Sequence, residues 1–484
     1  MRCRRLLAPV LVLACAAALV LAACSSAPKS GGGEKKRTVL HTSYDDERVG
    51  REASRGVAAE IGLLNDPAID AYVNEIGRKL LRGVPRRSFQ YQFSVVDQFE
   101  PNAFALPGGY IFISRGLLAL ANNEDELANV IGHEIVHSAR RHSAAQQAIA
   151  AHQNPLAMGW QRSATLASYG RDMEREADKG GQILAAAAGY DPMGMSTFLR
   201  DMGQMDRLVR GHARRPTFMD THPGSLDRAA ANAARSSEIR WRRDPALGDT
   251  RASLLRRIDG LALDQRPETG VFEGDDFFHP AMDFRLRFPH GWRMSNTAQA
   301  VGAIAPRGDA VVFMSADQPA GDPQAMAEAY FEKTKEEQHL KLKVSQPVKL
   351  GQLDAWRMEV EGSSGAGSIS IFMVFVPYGQ ATFRITGMSL SRGASKYRGR
   401  FVNTARSFRP LTPAERSSIQ SMRLRVVKAR PGERLVALGQ RTGNAWDPSR
   451  TAVYNGIFAN HRFEGGELVK IAHVEAYVPR GRSE

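Results

Sequence analysis

The chain has 484 residues, a length that accommodates two to four domains. Hydrophobic residues make up 43% and charged residues 24% of the sequence, a balance that is typical of globular proteins and excludes wholesale disorder. The formal net charge is +14, but the basic residues are scattered and form no aromatic-and-basic motif, so nucleic acid is not an expected partner.

The first 23 residues are predicted to be a lipoprotein signal peptide. A basic start is followed by an apolar run over 6–23, which ends in Leu21-Ala22-Ala23-Cys24. This ending resembles a bacterial lipoprotein signal, in which the cysteine receives the lipid. An uncleaved anchor helix is the alternative, because the run could just span a membrane. Ser25 after the cysteine resembles the sorting pattern that favours the outer membrane, so we expect a lipid-anchored periplasmic protein.

Cysteine usage agrees with that interpretation. The three cysteines are Cys3, Cys15 and Cys24. Two lie in the signal and the third would be lipidated, so the folded part would have neither a disulfide nor a cysteine ligand for a metal. Residues 24–45 are rich in Gly, Ser and Lys over much of their length and are predicted to be a flexible tether.

The rest of the chain is predicted to be multidomain α+β. Residues 46–260 have a mostly helical pattern with one edge β-hairpin near 91–114. Residues 275–410 read as strands interrupted by two helical patterns, near 323–338 and 396–408, which indicates an α+β domain. The phrase Phe288-Pro289-His290-Gly291-Trp292 resembles the opening of PsbP/Mog-type domains.

The last segment, 420–478, resembles a small LysM module. The resemblance rests on Pro431–Leu435, on Tyr454-Asn455-Gly456 and on the sequence Gly465–Ile471. LysM modules bind the glycan of peptidoglycan, which is therefore a candidate ligand of this segment. Glu433 and Arg434 replace the Asp and Thr that are usual in the module, so the resemblance extends to the fold more than to glycan binding.

The clearest chemical signal is the sequence His133-Glu134-Ile135-Val136-His137 inside a predicted buried helix. Histidines four residues apart lie on one helical face, where two imidazoles can bind one zinc ion at about 2.0–2.1 Å. Glu134 lies about 100° around the helix from His133, so it can take a proton from zinc-bound water without ligating. One Zn²⁺ per chain is the predicted cofactor.

A third zinc ligand is expected from another helix, because a catalytic zinc ion takes three protein ligands and a water. Glu174 and Asp178 are four residues apart, so one could ligate while the other accepts a hydrogen bond from a ligand histidine. Glu176 is expected to face elsewhere. His142 is out of helical phase with His133, and we expect it at the helix surface rather than near the metal.

Four phrases, in order, resemble the HtpX/BepA-type zinc metallopeptidases, which are related to the CAAX prenyl protease and Oma families. The phrases are Asn102–Gly109, His133–His137, Glu174–Asp178, and Thr221-His222-Pro223 with Arg228. The fold that this resemblance implies is a mainly helical gluzincin domain over 46–260.

The resemblance also implies a role for each matching residue. Three residues would ligate zinc: His133, His137 and Glu174. Glu134 would be the general base, and Asp178 would orient a ligand histidine. His222 would approach the metal from a loop, either as a removable fourth ligand or as a donor to the oxyanion. The alternative is a histidine whose hydrogen bonds are satisfied within a turn before proline.

The same resemblance implies a substrate-binding strand. It would contain Asn102, Ala103, Phe104 and Ala105, and it would lie at a sheet edge, where an extended peptide can add by backbone hydrogen bonds. The segment 143–170 is either a lid over the cleft or a helical hairpin packed on the core.

The expected function is a zinc metalloendopeptidase of the cell envelope (class EC 3.4.24) that cleaves unfolded or misassembled periplasmic and outer-membrane proteins. BepA-type relatives carry tetratricopeptide repeats after the protease domain. This chain has a β-rich tail instead, so their partners are not transferred. Two alternatives stay open: a protease-like chaperone or cell-wall-binding scaffold without turnover, and a different hydrolase that uses the same zinc.

Overall fold

A computed structural model describes residues 43–84, 89–142, 170–209, 217–222, 225–317, 319–336, 339–364 and 367–478. The predicted signal, the lipidation site Cys24, most of the tether and the predicted lid up to residue 169 lie outside the described residues. Within the described ranges, no helix combines the length and apolar character needed to cross a membrane. The described residues form two compact units.

The first unit takes in the described parts of Lys35–Asp264 together with Ser421–Glu475. Its helices before residue 264 are α1 (Ser43–Glu60), α2 (Pro67–Leu81), α3 (Arg115–Leu120), α4 (Glu124–Ala139), α5 (Arg171–Ala187), α6 (Gly194–Val209), α7 (Phe218–Thr221), α8 (Ser225–Glu238) and α9 (Thr250–Ile258). Its strands there are β1 (Gln92–Val96), β2 (Ala103–Leu106) and β3 (Tyr110–Ser114). The mainly helical character predicted for this region is thus observed.

The three strands form a small sheet in the order β1-β3-β2. β2 and β3 make the predicted antiparallel hairpin, with Ala103 opposite Ile113, whereas β1 pairs with β3 in parallel. The hairpin turns at Pro107–Gly109, where Gly108 has φ +79° and an added Cβ would lie 2.7 Å from Glu47 Cα. A side chain at this position would therefore meet both backbone strain and a close contact with α1.

Helix α4 is the buried centre of the first unit. Every residue from Glu124 to Ser138 is buried. The Asn123 side chain caps the helix by accepting from Glu126 N–H at 2.9 Å, and the Glu126 carboxylate accepts from Asn122 N–H at 2.8 Å. Since apolar residues face outward in several directions, the helix must have packing partners on all of its sides.

A close helix crossing brings α5 against α4. An added Cβ on Gly132 would lie 2.9 Å from the Gly181 carbonyl oxygen, and one on Gly181 would lie 2.7 Å from His133 N. Neither contact leaves room for a methyl group, so the pair of glycines sets the separation of the two helices. The acidic residues near the start of α5 thereby come within reach of His133.

The C-terminal part of the first unit consists of β15 (Gln420–Lys428), α13 (Leu435–Thr442), α14 (Pro448–Asn455) and β16 (Leu468–Ala476), and the two strands pair. Leu424, Trp446 and Tyr454 belong to the same apolar core as α4. These residues are therefore an integral part of the first unit. Their resemblance to a LysM module stays a prediction.

Lys470 on β16 joins this C-terminal part to the chain that leads into α4. Its fully buried ammonium group donates to the carbonyls of Ala119, Leu120 and Ala121 at 2.9, 3.0 and 2.7 Å. Ala119 and Leu120 are the last residues of α3, and Ala121 follows them just before Asn123, the cap of α4. Burial and the Arg251 guanidinium lower the pKa of Lys470. The three acceptors replace the water that the ammonium group loses.

Arg251 adds a second connection of the same kind. Its guanidinium donates to the Asn122 carbonyl at 3.1 Å and to the Leu468 carbonyl at 3.0 Å. The Asn455 side chain donates to the Lys470 carbonyl at 2.9 Å. The residues before α4 and the start of β16 are consequently held in one polar network.

The second unit takes in Gln265–Gln420 with the described end of the chain. Its larger sheet has the order β10-β11-β12-β13-β9-β8-β7 and its smaller sheet the order β14-β6-β5-β4, with all neighbours antiparallel. The strands are β4 (Val271–Glu273), β5 (Asp276–His279), β6 (Phe284–Arg287), β7 (Arg293–Asn296), β8 (Ala300–Ile304), β9 (Ala310–Asp317), β10 (Lys341–Leu350), β11 (Leu353–Ser364), β12 (Gly367–Tyr378), β13 (Ala381–Leu390) and β14 (Arg409–Pro410). The mixed helical and sheet content matches the predicted α+β class.

Helices cover both faces of the larger sheet. α10 (Pro323–Thr334) packs with Met373 and Phe375, whereas α11 (Ala394–Arg406) packs with Phe372 and Val374. Alternate residues of β12 thus enter two separate cores. A short helix, α12 (Pro413–Ser418), follows β14.

We predict that Lys470→Met lowers the free energy of unfolding of the first unit by about 3 kcal/mol, because three buried carbonyls lose their donor. Hydrogen exchange should become faster in both α4 and β16. The control is Lys428→Met, since Lys428 is exposed on β15 and its change should stay within about 0.5 kcal/mol. Equal unfolding midpoints for the two variants would show that the buried ammonium group contributes nothing to the stability of the first unit.

Candidate metal centre

Four buried side chains converge in the first unit. Ligand atoms of His133, His137, Glu174 and His222 all lie within 4.8 Å of one another. The two histidines of α4 face each other with their Nε2 atoms 2.9 Å apart, Glu174 comes from α5, and His222 directly follows α7. All four side chains are fully buried. The structure thus brings together the three predicted zinc ligands and the predicted loop histidine.

The donor chemistry fits a zinc ion. His222 Nδ1 lies 3.3 Å from His133 Nε2 and 3.0 Å from Glu174 Oε1, and His137 Nε2 lies 3.4 Å from the same carboxylate oxygen. Imidazole nitrogen and carboxylate oxygen are ligands that zinc takes. Burial, reinforced by His133, holds the pKa of His137 well below its usual value, which favours the neutral form that metal binding requires.

Glu174 is held in its ionised form. Burial opposes ionisation, but His222 and His137 together keep the pKa of Glu174 well below its usual range. Arg228 Nη1 adds a contact of 2.6 Å to Glu174 Oε2. A carboxylate with this charge balance can serve as a ligand without first losing a proton.

Glu134 lies beside the cluster in a different electrostatic setting. Among the described residues, neither of its carboxylate oxygens makes a hydrogen bond, and His222 Nε2 lies 3.5 Å from Oε1. Burial raises the pKa of Glu134, and His222 and His133 only partly oppose that shift. A buried carboxylate with unused acceptors and a raised pKa is suited to taking and returning a proton.

Asp178 contacts His133 on the side of the ring away from the other donor atoms. The Nδ1 atom of His133 lies 3.0 Å from Asp178 Oδ1. Arg228 Nε and Asn232 Nδ2, both on α8, each donate to Asp178 Oδ2 at 2.9 Å. Burial opposes ionisation, but Arg228 and His133 hold the pKa of Asp178 well below its usual range. Asp178 thus lies next to the Nδ1 atom of His133, and its role in orienting that ring stays a prediction.

The region around the four converging side chains is similar to a known peptidase family. The model of Peptidase family M48 matches residues 67–165 and 156–236. The chain contains an M48 peptidase domain. The match covers the three helices that carry His133, His137, Glu174 and Arg228, and the resemblance inferred from four sequence phrases is confirmed for this region.

Two relatives illustrate the similarity of the M48 domain. The beta-barrel assembly-enhancing protease of Escherichia coli is 29% identical over 204 residues, which cover 37% of this chain and 41% of that protein. Mitochondrial metalloendopeptidase OMA1 of Schizosaccharomyces pombe is 29% identical over 204 residues, covering 38% of this chain and 58% of that protein. The chain thus matches less than two thirds of each relative's length.

Among solved structures, cyanobacterial PsbP from Synechocystis is similar to the chain at 9% identity and a TM-score of 0.26, covering 29% of this chain and 95% of that one.

The predicted substrate strand lies next to the loop of His222 in the M48 domain. β2 is one of the two outer strands of its sheet, and Asn102 precedes it. Phe218 N–H at the start of α7 donates to the Pro101 carbonyl at 2.9 Å, and Phe218 stacks on the His222 ring at a centroid distance of 4.2 Å. Substrate binding by residues 102–105 stays a prediction.

The prediction for His142 was wrong. The residue is 5% exposed, and its Nδ1 lies 2.9 Å from His137 Nδ1, in direct contact with a predicted zinc ligand. The prediction assumed that the helix continues to residue 142. In the structure α4 stops at Ala139, and Arg141 adopts a left-handed φ of +56°. This turn directs His142 back beneath His137.

Arg228 is the other residue whose role the sequence left open. It contacts Asp178, Glu174 and the His222 carbonyl, the last at 3.1 Å. One guanidinium therefore connects two residues of α5 with the segment that carries His222. The position of Arg228 shortly after the Thr221-His222-Pro223 phrase was the only signal for it in the sequence.

We expect the purified full-length chain to contain one zinc ion, and His137→Ala or Glu174→Ala to lose it during dialysis against a chelator, because each removes a donor from the cluster. Elemental analysis of zinc per chain is the measurement. His290→Ala is the control, since this side chain is 94% exposed and pairs only with Asp275 in the described structure. Full occupancy in the two ligand variants would rule out this site.

Proposed function

We propose that the chain is a zinc-dependent endopeptidase of the bacterial cell envelope. The observation that carries the proposal is the buried convergence of His133, His137 and Glu174 with Glu134 on the same helix as the two histidines. The M48 domain and the metalloendopeptidase names of its relatives support the same activity. The alternative of a different zinc hydrolase has no comparable support.

The residues around the cluster would have different roles in peptide hydrolysis. When bound, the zinc ion would supply Lewis-acid chemistry, which polarises the substrate carbonyl and activates water. Glu134 would accept the proton of the attacking water and return it to the leaving amine. Asp178 and Arg228 would hold His133 and Glu174 in place, so that little reorganisation accompanies the reaction.

His222 would act as a removable fourth ligand rather than as an oxyanion donor. The supporting observation is that its Nδ1 lies among the other donor atoms, 3.0 Å from Glu174 Oε1. Burial opposes protonation, but Glu174 and Glu134 hold the pKa of His222 above its usual value, so His222, unlike His137, must lose its proton before it can ligate. A substrate would have to displace this ring, which would restrain cleavage until an extended chain is bound.

The proposed substrates are unfolded or misassembled periplasmic and outer-membrane proteins. The outer position of β2 supports backbone recognition of extended chains, which tolerates many sequences. The name of the E. coli relative, a beta-barrel assembly-enhancing protease, is in keeping with an envelope setting. Anchoring through a lipid on Cys24, with the outer membrane favoured, belongs to the same proposal.

Peptidoglycan remains a candidate ligand of 420–478, with one structural restriction. Asn455 is buried, and an added Cβ on Gly456 would lie 2.9 Å from both Asn122 Nδ2 and Asp201 Oδ2. This corner, one of the features that resemble a LysM module, packs against the M48 domain. A glycan would therefore have to contact other residues of the segment.

We predict that Glu134→Gln keeps one zinc ion per chain and loses about 10²–10⁴-fold in casein cleavage, because the proton acceptor is lost while the donors remain. Peptidase assays and zinc analysis of the same preparation are the measurements. A non-catalytic chaperone or scaffold would show no wild-type cleavage for the substitution to abolish. Undiminished cleavage in the variant would exclude Glu134 as the base.

His222→Ala should raise basal cleavage of unfolded casein several-fold, since the ring would no longer compete with substrate. The matched control is the double variant His222→Ala/Glu134→Gln, which should be inactive and thereby exclude a contaminating protease. Initial rates with equal zinc loading are to be compared. A fall in rate in the single variant would instead support the role of oxyanion donor.

A further inference from the structure

We propose that His142 and Glu176 form a hydrogen-bonded relay that positions the zinc ligand His137, a relay that we call the His142 relay. His142 Nδ1 lies 2.9 Å from His137 Nδ1, and His142 Nε2 lies 3.3 Å from Glu176 Oε2. The inference rests on the proposed zinc peptidase and adds two positioning residues to it.

The two zinc-binding histidines of α4 are supported differently. A histidine that ligates through Nε2 presents its Nδ1–H group to a partner, which fixes the orientation of the ring. For His133 that partner is the Asp178 carboxylate itself, at 3.0 Å. For His137 the described partner is the imidazole of His142. The carboxylate of Glu176 contacts that imidazole rather than His137 itself.

Ligand geometry fixes the direction of the hydrogen bonds. His137 Nε2 faces the other donor atoms, so the proton of its neutral ring must lie on Nδ1. His142 Nδ1 must then accept, which leaves the proton of His142 on Nε2. That proton points to Glu176 Oε2, an acceptor. One tautomer of each ring therefore satisfies the whole chain of contacts.

Both ends of the relay are held in place. Glu176 Oε1 forms an ion pair with Arg140 Nε at 2.9 Å. The Glu176 side chain is 47% exposed, so the relay ends at the surface. The turn that places His142 has Arg141 at φ +56°, and Arg141 Nη2 donates to Asp46 Oδ1 of α1 at 2.9 Å. The position of His142 thus follows from a pinned turn rather than from helical phase.

Zinc affinity tests the relay without depending on turnover. In the full-length chain extracted in detergent, His142→Leu should weaken zinc binding by about 10–100-fold, the usual effect of losing a partner behind a ligand histidine. His142→Asn keeps an acceptor atom at the position of Nδ1 but does not reach Glu176. It should therefore behave like Glu176→Gln, with a loss of less than about tenfold. Competition with a chromophoric chelator measures each constant.

Two comparisons separate positioning from packing. The control for Glu176→Gln is Asp172→Asn on the same helix, because Asp172 is 96% exposed, pairs with Arg175 and should leave affinity unchanged. The visible absorption bands of the cobalt-substituted protein should shift in His142→Leu and stay close to wild type in His142→Asn.

The outcomes are distinguishable. Absence of zinc from the wild-type chain would overturn the proposed function itself. Wild-type zinc binding with equal losses in His142→Leu and His142→Asn would overturn the relay, since shape alone would then explain the effect. If His142→Leu fails to fold, the exposed Glu176 keeps the test open: zinc affinity of Glu176→Gln identical to that of Asp172→Asn would also overturn it.

Discussion

The burial of helix α4 from Glu124 to Ser138 is the constraint on which the first unit depends. A helix with polar and ionisable groups on a buried face requires partners on every side, because unpaired groups there cost free energy. The structure meets this requirement for the two histidines: Asp178 lies behind His133, and His142 lies behind His137. Arg228 pairs with Asp178 and Glu174. Glu134 is the exception, since its carboxylate makes no hydrogen bond among the described residues. The crossing of Gly132 with Gly181 sets the distance that makes these contacts possible. The contacts that pack α4 in this domain are thus also the contacts that position the proposed metal ligands.

The same constraint explains why residues far along the chain belong to the first unit. The start of α4 is held by Lys470 through the end of α3, and by Arg251 through Asn122. A surface module would need none of these contacts. In this chain the βααβ segment over 420–476 also completes the core around α4. Any ligand of that segment would therefore bind to a part of the peptidase unit rather than to a tethered accessory.

Local spacing made much of the centre predictable. His133 and His137, and likewise Glu174 and Asp178, are four residues apart, and helical geometry places each pair on one face. The strand Ala103–Leu106 was expected from the resemblance to the metallopeptidase family. What failed was extrapolation past a helix end: the left-handed Arg141 reverses the chain, so the phase of His142 gave the wrong location. The parallel pairing of β1 and the role of Lys470 depend on contacts between distant residues, which periodicity does not encode. His222 required resemblance, since a loop histidine has no spacing signal.

The central claim is that one zinc ion is held by His133, His137 and Glu174, with His222 completing the set. Zinc K-edge X-ray absorption of the full-length protein tests it most directly. We expect about four nitrogen or oxygen neighbours near 2.0–2.1 Å with the outer-shell scattering of three imidazoles, reduced to two in His222→Ala. A shell of six oxygen neighbours without imidazole scattering, or a spectrum unchanged by His137→Ala, would contradict it.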